Sequence, residues 1–74
     1  DWCRAAMRQL ARPVGADPRL EVGTSGSAGL AAVLALHAAG PATLEALGLT
    51  PSARVLIIAT EGVTEPGLWR EVVA

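Results

Sequence analysis

Apolar positions recur at helical spacing in some stretches of this chain and run unbroken in others. Trp2, Ala6, Met7 and Leu10 recur at three- and four-residue spacing, with Arg4, Arg8 and Arg12 on another face. That pattern predicts an amphipathic helix over residues 1–12, ended by Pro13 and Gly15. Residues 14–18 read as a loop, because Asp17 precedes a proline and so avoids the helical region. Residues 20–22 are short and β-compatible. Residues 27–39 are apolar almost all round, which predicts a buried helix, stopped at Gly40-Pro41. A short helix is expected over 43–47, closed by Gly48 at a left-handed cap. Residues 54–59, Arg-Val-Leu-Ile-Ile-Ala, form the clearest strand, and their lack of polar alternation suits a strand covered on both faces. After a loop over 60–66, Leu68, Trp69, Val72 and Val73 mark a final amphipathic helix over 67–74.

The order helix, strand, long helix, strand, helix predicts an α/β fold in which a right-handed crossover joins parallel strands. Two strands do not make a stable sheet, so the expectation is a fragment of a larger parallel, helix-covered sheet. Residues 1–74 then form part of a domain whose remaining strands lie elsewhere. The chain opens Asp-Trp-Cys-Arg, without initiator Met or signal-peptide features, and is expected to begin in mid-sequence.

Composition narrows the function classes. The chain is 51% hydrophobic, yet it has two Trp and no Phe or Tyr. Slim Ala, Leu and Val side chains pack well against neighbours and poorly fill a small independent core. The net charge is −1, with the basic residues all arginines spread along the chain, so no basic nucleic-acid face is expected. No apolar stretch is long enough to span a bilayer. The single Cys3 cannot form an internal disulfide, and with one His it makes no zinc site. A cytoplasmic location fits this cysteine usage.

Two loops carry the candidate chemistry. Gly23-Thr-Ser-Gly-Ser-Ala-Gly29 follows the first predicted strand, and Thr60-Glu-Gly-Val-Thr-Glu-Pro66 follows the second. In open α/β sheets, ligands sit outside the carboxyl ends of the strands, so both loops are expected at one crevice. The glycines let backbone approach a ligand, and the hydroxyls of Thr24, Ser25 and Ser27 stand at a helix N-terminus. The plainer alternative is that Ser25 or Ser27 caps the helix. Thr60 could hydrogen-bond a ring nitrogen and Glu61 could pair with a cation; the alternative is a strand end with a solvated carboxylate. His37 reads as a core or rim histidine rather than a general base, and Cys3 as a packed small side chain. No catalytic residue and no metal cluster can be assembled.

The segments AAMRQLARP (5–13), GADP (15–18), GTSGSAGL (23–30), LGL (47–49), RVLIIATEG (54–62) and TEP (64–66) together resemble the C-terminal end of diaminopropionate ammonia-lyases. These belong to the tryptophan-synthase-β-like pyridoxal-phosphate enzymes. The resemblance covers nearly the whole chain in order. It implies a β-eliminating lyase that releases ammonia and pyruvate from 2,3-diaminopropionate or a related amino acid, working as a homodimer. It also implies pyridoxal 5′-phosphate as cofactor, with Thr60 against its pyridine nitrogen and Gly23, Thr24, Ser25, Gly26 and Glu61 around its crevice. Two departures stand out. Thr24 replaces the glutamate of the family's Gly-Glu-Ser-Gly, and the chain contains no lysine to hold the cofactor. The chemistry is therefore expected from the rest of the lyase chain. The competing expectations are a non-catalytic truncated paralogue serving as an interaction or dimerisation module, and an unrelated nucleotide-binding fragment. The second would require a dinucleotide glycine spacing that 23–29 does not keep.

Overall fold

A computed structural model describes all 74 residues. Four helices form: α1 (Trp2–Ala11), α2 (Ala28–Ala39), α3 (Pro41–Ala46) and α4 (Pro66–Val73). Each lies within one or two residues of its expected bounds. Helix α1 starts where the Asp1 carboxylate accepts hydrogen bonds from the Cys3 and Arg4 amides at 2.8 and 3.3 Å. Such a cap satisfies two of the helix's orphan donors. Helix α3 begins at Pro41 rather than Thr43, because proline is pre-organised for the first helical position. It ends in a Schellman turn: Gly48, at φ 73°, donates to Glu45, and Leu49 donates to Leu44.

The expected α/β fold is overturned. The chain is 49% helix and contains no strand or sheet. Residues 20–22 and 54–59 do not pair; no main-chain hydrogen bond between peptide groups involves any residue from 54 to 64. The physical reason is that a strand exists only through its neighbours, and a two-stranded pair is marginal in water. Nor do the two segments lie in register: Glu21 and Gly23 lie beside 62–64, beyond the end of 54–59. Burial of α2 is corrected in the same way. Only Ala31 of that helix is buried, since the chain has too little mass to cover an apolar cylinder on every side.

The core is correspondingly thin. Met7 and Ala11 of α1 meet Trp69, Val72 and Val73 of α4, with Val63 and Leu68 packed at the edge. The radius of gyration is 13.0 Å, against about 11 Å for a compact chain of this length. Arg8 of α1 and Arg12 just past its end fasten the two terminal helices. Arg8 Nε donates to the Val72 carbonyl at 2.9 Å, and the Arg12 guanidinium donates to the Val73 carbonyl. These are the orphan carbonyls at the end of α4, where a positive charge also favours the helix dipole. Arg12→Ala is expected to cost about 1–2 kcal/mol, the range for a hydrogen bond to a charged group at a partly buried helix end; urea unfolding monitored by circular dichroism measures it. No helix is long and apolar enough to cross a membrane.

Candidate functional site

The two glycine-containing loops meet in the structure. An added Cβ on Gly26 would lie 2.5 Å from the Glu61 carbonyl oxygen and 2.5 Å from Val22 Cγ1. One on Gly23 would lie 3.1 Å from the Gly62 carbonyl oxygen. Backbone therefore packs on backbone here, an approach that only glycine allows. The first loop is a tight turn into α2. Ser27 N–H donates to the Gly23 carbonyl at 3.0 Å, and Ala28 N–H donates to Ser25 at 3.3 Å.

The candidate residues divide by environment. Gly26 is buried and Gly23 half-buried, whereas Thr24, Ser25, Thr60 and Glu61 are exposed. Gly23, Gly26 and the Glu61 backbone are brought together. Thr24 joins Thr64, Glu65, Val63 and Trp69 around a cavity of about 20 Å³. That space has the size of a water molecule rather than of a cofactor. The exposed hydroxyls of Ser25 and Thr60 make no hydrogen bond within the chain.

Ser27 behaves differently from either expectation. It occupies the N-cap position of α2, yet its side chain makes no capping hydrogen bond. Its backbone, at φ −89° and ψ −5°, is already helical, whereas a capping side chain needs extended backbone to reach forward. The residue is fully buried, and its Oγ lacks a hydrogen-bond partner. Trp69 Nε1, close to the same loops, is likewise buried and unpartnered. Neither was foreseeable from local pattern, because the packing that buries them comes from distant residues. His37 is exposed at the last turn of α2, and Cys3 is half-buried near the start of α1. No group of His, Cys, Asp and Glu is arranged to hold a metal ion.

Exposed Thr24, Ser25 and Thr60 beside close-packed backbone are compatible with contact to a polar cofactor edge. The space over Gly26 is filled by Glu61 and Val22, and no lysine is present, so this chain does not form a whole site.

Comparison with known proteins bears on the same point. The diaminopropionate ammonia-lyase of Escherichia coli strain K12 is 44% identical over 69 residues, 90% of this chain. The matched region is the C-terminal part of that enzyme. This chain is similar to the C-terminal segment of diaminopropionate ammonia-lyase. The enzymes of strains CFT073 and O157:H7 match equally. The chain spans 17% of the length of these curated relatives. No family model and no solved structure matches the chain. The ordered resemblance in the sequence is thus supported by overall identity to these lyases.

Proposed function

We propose that this chain is a segment of a pyridoxal-phosphate-dependent ammonia-lyase and supplies one wall of the cofactor crevice. Residues 1–74 are then the C-terminal part of a lyase domain, incomplete by themselves. The single observation that carries this reading is the meeting of the 23–26 and 61–64 loops in a chain 44% identical to the lyase. When bound, pyridoxal phosphate supplies the electron sink for elimination of ammonia from diaminopropionate or a related amino acid.

The chain's own residues orient that group. Thr60 would hydrogen-bond the pyridine nitrogen. Its hydroxyl is neutral, so it does not hold that nitrogen protonated as a carboxylate would. Gly23 and Gly26 allow the two loops to close against each other, and Thr24, Ser25 and Glu61 border the opening. The remainder of the lyase polypeptide brings the lysine, the phosphate contacts and the proton-transferring groups, and the complete enzyme works as a cytoplasmic homodimer.

The test is a conservative pair at one position. In a lyase carrying this segment, Thr60→Ala is expected to weaken cofactor affinity about tenfold, the worth of one hydrogen bond, and to shift the cofactor's absorbance. Thr60→Ser is expected to restore both. Unchanged spectrum and affinity in Thr60→Ala would make Thr60 a bystander and remove the proposed contact.

A further inference from the structure

We propose that Trp69 is a positioning residue for the cofactor crevice: its indole fixes the spacing of the two crevice loops and thereby places Thr24 and Thr60. The inference rests on the lyase reading above. Trp69 lies outside both loops, within α4, and is 7% exposed in the core that joins α1 to α4. Both loops reach it. Val63 of the second loop packs against that core. Gly23 and Thr24 of the first loop share with Trp69, Val63 and Thr64 the lining of the cavity of about 20 Å³. Arg19, four residues before Gly23, sets its guanidinium 5.6 Å from the indole centroid, within reach of cation–π attraction. The lead-in to the first loop is also tied to α1, where Leu20 N–H donates to the Leu10 carbonyl at 2.8 Å.

The indole acts through its bulk, since Nε1 is buried and makes no hydrogen bond. Its own anchorage is firm. The bonds from Arg8 and Arg12 to the Val72 and Val73 carbonyls hold α4 on α1, so the ring cannot follow the loops if they shift. Packed support of this kind keeps a site within about 0.5 Å of its working geometry. Thr60 stands three residues before Val63 and shares its displacement. A misplacement of about 1 Å caused by a change away from the chemistry costs about a hundredfold in rate.

The test compares two residues of the same core in a lyase carrying this segment. Trp69→Leu is expected to lower cofactor affinity at least about tenfold and to shift the cofactor's absorbance, and Trp69→Phe to recover most of both. Val72→Ala is the control, because Val72 is 4% exposed in that core but does not line the cavity between the loops. It should lower the thermal midpoint and leave cofactor affinity and absorbance at the parent's values. Cofactor losses that simply track the loss of stability in both variants would overturn the proposal. The isolated chain keeps this inference apart from the lyase reading. There, Trp69→Phe should weaken the nuclear Overhauser contacts between Gly23 and residues 63–64, and Val72→Ala should not. Unchanged contacts overturn the proposal even where the parent lyase binds cofactor. Weakened contacts beside a parent that binds none uphold the support of the loops by Trp69 and overturn the lyase reading instead.

Discussion

Trp69→Ala is expected to abolish cooperative unfolding of this chain at room temperature. Trp69 is 7% exposed and is the largest member of a five-residue core that joins α1 to α4. Removing a buried tryptophan costs about 3–5 kcal/mol, through lost apolar burial and the cavity left behind. A chain of this length has a total stability of only about 4–11 kcal/mol, and a thin core belongs at the lower end. The same substitution removes the platform under the Arg19 guanidinium, which sits 5.6 Å from the ring centroid. Trp69→Phe separates the causes. It keeps most of the aromatic volume and deletes Nε1, a buried donor without a partner. An unsatisfied buried donor costs about 1–3 kcal/mol, so this variant should lose much less than Trp69→Ala. Trp2→Ala serves as the control, since Trp2 is 48% exposed and outside the core. Thermal unfolding followed by circular dichroism distinguishes the three; comparable losses in all of them would show that Trp69 holds no special place.

Gly26→Val is expected to force the two loops apart. A Cβ at this position would sit 2.5 Å from the backbone oxygen of Glu61, and a valine adds two further methyl groups. The obstacle is main chain, which cannot rotate away as a flexible side chain could. Overpacking of this kind costs about 1–3 kcal/mol, and the upper end applies when backbone must move. Gly67, which has nothing within 4 Å of an added Cβ, provides the contrast. Gly67→Ala lies in the first turn of α4 and should leave stability unchanged or raise it by up to about 1 kcal/mol. Chemical-shift changes spreading from Val22 to Thr64 in Gly26→Val, and confined to the first turn of α4 in Gly67→Ala, would bear this out. Silent spectra for Val22 and Glu61 in Gly26→Val would contradict the close approach.

Helices were legible in this sequence because their determinants are local. The spacing of Trp2, Ala6, Met7 and Leu10, the stop at Pro13, and the cap at Gly48 act within a turn or two of the residues they shape. Strands were not legible, because pairing depends on partners far along the chain or outside it. The apolar run at 54–59 has the composition of a buried strand and lacks the neighbours that would make it one. The clasp of Arg8 and Arg12 on α4 joins residues more than sixty positions apart, beyond any local pattern. The loops themselves were visible as glycine and hydroxyl clusters; they meet at Gly26 and Glu61, although the paired strands whose ends were expected to bring them together are absent. What no pattern indicated was the filled space over Gly26 or the buried, unpartnered Ser27 Oγ.

Under the proposed function, this chain forms one wall of a lyase's cofactor site while the rest of the enzyme supplies the chemistry. The most direct test of this replaces the matching C-terminal segment of the Escherichia coli enzyme with this chain and measures pyridoxal-phosphate affinity and ammonia release. The expected result is a folded hybrid that binds the cofactor, releases ammonia from diaminopropionate or a related amino acid, and loses cofactor affinity on Thr60→Ala. A folded hybrid that binds no cofactor, or one indifferent to Thr60→Ala, would contradict it.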